Sequence, residues 1–227
     1  IGIRSAWYGS WSLARPWSVG RLVDLGFGGA VALVGVEPLS PLAFSRAEEL
    51  SLIWGVPVLN SMTAGKGAAA EGVKVVISEA AMGLAFMDRK RGKPYYVDFQ
   101  SQAWKTRISQ GLTKSHIFRR AVGEHSAPCR IVDATAGFGQ DTALALCLGA
   151  EVTAIERSNV VITLLRNGIA RAIQEDEQAK QMFSKLSLVE SEAERFLLSI
   201  AEGTSQFDVV YLDPMFDKPK KSAKSPK

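Results

Sequence analysis

The stretch Ile131-Val132-Asp133-Ala134-Thr135-Ala136-Gly137-Phe138-Gly139-Gln140-Asp141 has the make-up of a ligand-binding turn. An apolar run ends at Asp133, a glycine turn follows, and Asp141 opens a segment, Thr142 to Gly149, of helical character. Strand, glycine turn and helix N-terminus in that order aim backbone N–H groups at a ligand, and Gly137 and Gly139 leave no side chain in the way. Roughly 20 residues past Gly137, at the end of the next apolar run, stands Glu156, where a carboxylate accepts from ribose hydroxyls. The plain alternative is a surface carboxylate paired with Arg157. Thr142 stands where a dinucleotide fingerprint wants its third glycine. At this step the ribose can belong to a nicotinamide cofactor or to S-adenosylmethionine.

A second signal, Asp213-Pro214-Met215-Phe216, closes a later apolar run and decides between them. A hydride-transferring enzyme has no use for it there, and an amino-group methyltransferase does. The exocyclic nitrogen of a base is a poor nucleophile because its lone pair is delocalised into the ring. The Asp213 carboxylate and the Pro214 carbonyl can accept its N–H groups, aim the lone pair at a methyl donor and favour the more tetrahedral nitrogen of the transition state. Proline stiffens the turn, and Phe216 offers a face on which a base stacks. The plain alternative is a strand-terminal Asp-Pro turn with a core phenylalanine.

Positioning these groups requires a sheet. From Arg130 strand and helix alternate: strand 130–134, helix 140–149, strand 151–155, helix 159–173, a polar stretch 174–184, strand 186–189, helix 191–201 and strand 207–212. The spacing predicts an α/β fold, a doubly wound parallel sheet over 129–216 with both signals on its carboxyl edge. Residues 43–99 read as a small N-terminal α/β domain: a helix 45–54 stopped by Gly55, a short strand 56–59, a loop 61–72, strands 73–78, 83–87 and 95–99, and a basic turn 89–94. Residues 100–128 read as a basic linker with a helix over 113–122. Residues 1–42 hold Trp7, Trp11 and Trp17 and no acid before Asp24, and read as a non-core extension. Residues 217–227 read as a Lys-rich tail or loop. The first residue is Ile and the alternation stops soon after Phe216, so the sheet reads as C-terminally truncated.

Of 227 residues 47% are hydrophobic, which suits a packed core. Cys129 and Cys147 give no disulfide framework and point to a reducing, cytoplasmic setting. The longest apolar run, Phe27 to Val36, is glycine-rich and too short for a membrane helix. Neither membrane nor metal is called for. The net charge of +4 is unevenly spread, with nine Lys/Arg against one acid from Arg89 to Arg120, and five Lys against one acid from Asp217 to Lys227. Basic charge beside both site elements suits a polyanion, most simply nucleic acid, although charge alone fits a solvated surface equally. Lys105, Arg107, Lys114, Lys218, Lys220 and Lys221 are the candidate phosphate contacts.

Asp133 to Asp141, Glu156-Arg157 and Val210 to Phe216 together resemble a bacterial family of 16S ribosomal RNA guanine-N2 methyltransferases, the small-subunit methyltransferase J type. Leu164 to Ala172, Tyr96-Val97-Asp98-Phe99 and Lys221-Ser222-Ala223 extend the resemblance over roughly 44–224, and Asp-Pro-Met-Phe is an unusual form of its tetrad. The resemblance implies a Rossmann-like class I fold, S-adenosylmethionine as cofactor, and 16S rRNA or the small ribosomal subunit as partner. It implies that Gln140 and Asp141 contact the cofactor, that Glu156 holds the ribose beside Arg157, and that Glu192 and Ala193 meet the adenine. Asp213 would line the methyl-transfer site. The chain departs from the family where Trp104 to Gly111 only loosely matches a basic glycine-rich segment, and where Asp217 replaces a proline. Rival readings are methylation of another base or a protein amide, a non-catalytic RNA-binding module, and a nicotinamide oxidoreductase. The oligomeric state stays open.

Overall fold

The computed structural model describes residues 21–24, 30–59, 72–87, 92–113, 116–123, 129–201 and 207–213. Its first sheet corrects the expectation of a non-core extension over 1–42. Strands β1 (Arg21–Asp24) and β2 (Ala30–Pro38) lie inside that segment, and β2 pairs antiparallel with β1 and parallel with β3 (Val73–Ile77). Leu33 and Val36 of β2 are completely buried. A strand covered on both faces reads as an unbroken apolar run and not as an alternation. That is why this strand looks in sequence like a hydrophobic, glycine-rich stretch.

Strands β4 (Met82–Phe86) and β5 (Tyr95–Tyr96) complete a five-stranded sheet in the order β1-β2-β3-β4-β5. Helix α1 (Phe44–Trp54) buries Ala47, Leu50 and Trp54 and ends at Gly55 in the left-handed region. The strand expected over 56–59 is a single bridge between Val36 and Val58. The strand expected over 95–99 stops at Tyr96, because the chain turns at Asp98, whose carboxylate accepts from the Gln100 N–H at 2.8 Å.

The linker expected over 100–128 contains helix α2 (Gln102–Gly111) as well as α3 (Ile117–Val122), which starts four residues later than expected. The Ser101 hydroxyl caps α2 by accepting from the Trp104 N–H at 3.2 Å. Trp104 anchors the helix, buried edge-on against Phe99 at 5.4 Å between ring centroids.

Strands β6 (Arg130–Asp133), β7 (Glu151–Glu156), β8 (Leu186–Glu190) and β9 (Val209–Tyr211) form a parallel sheet in the order β8-β7-β6-β9. Helices α4 (Gln140–Cys147), α5 (Asn159–Glu175) and α6 (Glu177–Phe183) share a core with Ile131, Val152 and Ala154 on one face. On the other face α7 (Ala193–Ala201) packs Phe196, Leu197 and Ile200 over Val132, Ala134 and Ile155. Helix α6 lies in the stretch 174–184, which the sequence marks only as polar. Asp176 caps it, and Ala179 and Phe183 are its buried anchors, with Met182 packed partly buried beside them.

The chain winds outward from β6 to β7 and β8, then returns across the other face to β9 on the far side of β6. The order therefore reverses between β6 and β9, and in open parallel sheets ligands bind at such a switch point, beyond the strand carboxyl ends. Helix α5 joins the two sheets. The Asn167 side-chain oxygen accepts from the Met82 N–H at 2.9 Å, and the Arg171 guanidinium donates to the Val97 carbonyl. A Cβ added at Gly168 would lie 2.6 Å from a Val97 methyl, so only glycine admits this approach. Among the described residues no helix is long and apolar enough to cross a membrane, and both cysteines are free thiols.

Candidate functional site

Asp133 ends β6 with 3% of its surface exposed. One carboxylate oxygen accepts from the Thr135 N–H at 3.2 Å, the other from the Thr142 hydroxyl at 2.5 Å. It ties the strand end to the first turn of α4. Burial pushes its carboxyl up to about 6, with Asp141 and Glu156 adding to the shift. Asp133 was expected among the ligand contacts. It is instead enclosed, and it acts through the turn it braces.

The two glycines of that turn do different work. Both are left-handed, Gly137 at φ 53° and Gly139 at φ 74°. A Cβ at Gly139 would lie 2.6 Å from a methyl of Leu165, which is 1% exposed and cannot give way. A Cβ at Gly137 would meet only the Thr135 carbonyl oxygen, at 4.0 Å, so the space over Gly137 is open. Gly139→Ala is therefore expected to cost about 2 kcal/mol of stability, from left-handed strain plus overpacking. Gly137→Ala is expected to cost about 1 kcal/mol and to weaken ligand binding more. Urea denaturation and calorimetry of both variants test the division.

Glu156, at the end of β7, accepts from the Gly137 N–H at 2.9 Å and from the Ser158 N–H at 2.7 Å. Burial pushes its carboxyl up. Each oxygen keeps a lone pair for a hydroxyl donor. The Arg157 guanidinium reaches Glu192 at 3.7 Å in an exposed ion pair. The Ser191 N–H donates to the Glu156 carbonyl, which holds the end of β8 beside Glu156. Glu192 is exposed at the rim, and Ala193 opens α7 half-buried against the Val132 cluster.

On the β9 side the two signals meet. The Asp213 N–H donates to the Thr135 hydroxyl at 2.8 Å, so the second loop is docked on the first across the switch point. The Tyr211 hydroxyl donates to Asp141 at 2.9 Å, and burial with the Asp141 charge holds its pKa far above the usual tyrosine value. The other Asp141 oxygen is ion-paired with Arg107 of α2. Arg107 was expected to be a phosphate contact. It is drawn into the glycine-turn cluster, because α2 packs toward α4, with 41% of the Arg107 side chain still exposed. The Gln140 side chain hydrogen-bonds the Tyr95 hydroxyl, and the Tyr95 ring lies 5.0 Å from Phe138. Lys105 is exposed on α2. Pro214, Phe216, Lys114, Lys218, Lys220 and Lys221 lie outside the described residues.

Thr135, Tyr211 and Tyr95 were not singled out from sequence, and Thr142 was read only as the residue in place of a third glycine. For the two threonines a signal exists, since a strand-terminal Asp that will be buried needs nearby donors. The assembled rim carries Asp141, Glu156 and Asp213, with Asp133 enclosed beneath it, and Coulomb repulsion from the rim carboxylates opposes a pyrophosphate. The same set suits a ligand with a ribose diol and a positive centre. S-adenosylmethionine, with its sulfonium, fits both the acceptors and the open face of Gly137.

The family model described as "Putative SAM-dependent methyltransferase" matches residues 62–227. The ribosomal RNA small subunit methyltransferase J of Coxiella burnetii is 36% identical over 185 residues, which are 81% of this chain and 68% of that protein. The protein of the same name from Aeromonas hydrophila is 38% identical over 150 residues, covering 66% of this chain and 59% of its own. A crystal structure of a SAM-dependent methyltransferase from Neisseria gonorrhoeae aligns with a TM-score of 0.59 at 23% identity, over 81% of this chain and 70% of that one. At that identity the likeness is one of fold.

Proposed function

From the premise that this chain belongs to the SAM-dependent methyltransferase family, we propose that it methylates the exocyclic N2 of a guanosine in 16S ribosomal RNA, in the cytoplasm. The observation that carries the reading is the hydrogen bond from the Asp213 N–H to the Thr135 hydroxyl, which keeps the amino-acceptor loop against the glycine turn. The bound cofactor supplies an electrophilic methyl group on a sulfonium. Glu156 would accept from the ribose hydroxyls. Glu192 would accept from the adenine amino group, and the Ala193 N–H would donate to the ring. Gln140 and Asp141 would border the cofactor, with Arg157 outside Glu156. The Asp213 carboxylate and the Pro214 carbonyl would accept from the guanine N2, orienting its lone pair, and Phe216 would stack on the base. The relatives' name supports ribosomal RNA of the small subunit as the substrate.

The test is transfer of labelled methyl groups to 16S rRNA, DNA and protein, followed by nucleoside analysis. Label recovered as N2-methylguanosine in 16S rRNA is the expected result, and label in another nucleoside or in protein overturns the target. Lys105, with Lys114, Lys218, Lys220 and Lys221, would contact phosphates. Lys105→Ala is expected to reduce the slope of log affinity against log salt by about one contact, measured by filter binding across a salt series.

A further inference from the structure

We propose that Arg107 and Asp141 together form the receptor for the amino-acid end of the cofactor, Arg107 taking the carboxylate and Asp141 the ammonium. The proposal rests on the cofactor reading above. The sheet order β8-β7-β6-β9 lays the rim out in a line. Glu192 follows β8, Glu156 ends β7, the glycine turn follows β6, Tyr211 ends β9 and Asp213 follows it. The cofactor is also linear, running adenine, ribose, sulfur, amino acid. With the ribose at Glu156 and the methyl group facing Asp213, its last portion falls on the β9 side of the turn, over the first turn of α4. Asp141 and Arg107 stand there.

A zwitterion carries one positive and one negative group a few bonds apart. Its complement is an acid and a base held side by side, and this pair is preformed. Asp141 is fixed from two directions, by the Arg107 guanidinium and by the Tyr211 hydroxyl at 2.9 Å. The pair is reachable yet partly dry, with 41% of the Arg107 side chain and 23% of the Asp141 side chain exposed. A guanidinium has five N–H donors. The contact with Asp141 runs through one terminal nitrogen, and the Arg107 Nε is enclosed without an acceptor among the described residues. The guanidinium therefore has donors to spare for a carboxylate, which it can bind in a forked geometry. An exposed arginine serving only as a phosphate contact would need neither the pairing with α4 nor the burial.

Calorimetry with S-adenosylmethionine and with decarboxylated S-adenosylmethionine tests this, because the second keeps sulfonium and amine and lacks only the carboxylate. Wild-type protein is expected to prefer the first by roughly 10- to 30-fold. Arg107→Gln is expected to remove that preference by weakening the first alone, and Arg107→Lys to restore part of it. Asp141→Asn is expected to weaken both. An unchanged preference in Arg107→Gln, or equal weakening of both compounds, overturns the proposal. If Arg107→Gln does not fold, as judged by its melting curve, the wild-type ratio decides: equal affinity for the two compounds overturns it. Failure of wild-type protein to bind either compound removes the cofactor reading itself, an outcome distinct from equal binding of both.

Discussion

Replacing Asp213 with alanine is expected to slow methyl transfer by roughly 100- to 1000-fold, the range seen when one group aimed at a transition state is removed. The change in cofactor affinity should be much smaller. The residue is exposed at the end of β9, and what ties it to the fold is its backbone N–H on the Thr135 hydroxyl, which alanine keeps. Stability should therefore hold, and a melting temperature within a degree or two of wild type is the control. The rate falls because the amino nitrogen loses the acceptor that localises its lone pair. Asp213→Asn should fall between the two, since an amide oxygen accepts a hydrogen bond without a full charge. Single-turnover transfer to 16S rRNA at saturating cofactor separates this step from binding. An alanine variant at full rate would leave the proposed chemistry without its central group.

The β6–β9 half of the chain was legible because βα alternation is a repeated signal, and repetition averages out local ambiguity. Glu156 was legible for a related reason, since the distance from a glycine turn to the next strand end is set by one helix and one strand. What stayed hidden depended on contacts between distant segments. Nothing local in the run around Arg107 separates a cation facing solvent from one drawn onto α4, because the difference lies in which face of α2 the buried Trp104 turns inward. β2 was missed for the opposite reason: an unbroken apolar run has no period, so strand character gave way to composition. Asp133 is legible as a strand end, but its enclosure is not. A period of two assigns faces along a strand, but at its last residue the turn takes over, and here the turn carries Thr142 back onto the carboxylate.

That enclosed carboxylate yields the second large effect. A carboxyl at about 6 in the folded protein, against the usual 3.8, holds its proton more tightly folded than unfolded. Stability then falls as pH rises from about 4 to about 6, and Asp133 alone accounts for about 3 kcal/mol of that fall. Asp133→Asn should flatten this part of the profile. Its amide oxygen still accepts from the Thr135 N–H, and its NH2 can donate to the Thr142 oxygen. Glu156, also shifted upward by burial, contributes in the same direction to both proteins, and only its smaller Coulomb coupling to Asp133 differs between them. Urea denaturation at pH 4 and pH 7 should show the variant gaining on wild type between the two. An equal difference at both pH values would mean that the carboxyl titrates normally and that its enclosure is overstated. An ionised acid at this position opposes folding at neutral pH, so the compensating benefit must lie in the turn it holds. The variant should accordingly combine higher stability at pH 7 with weaker cofactor binding, because a neutral amide grips Thr135 and Thr142 less firmly and lets the Gly137 N–H drift from its place beside Glu156.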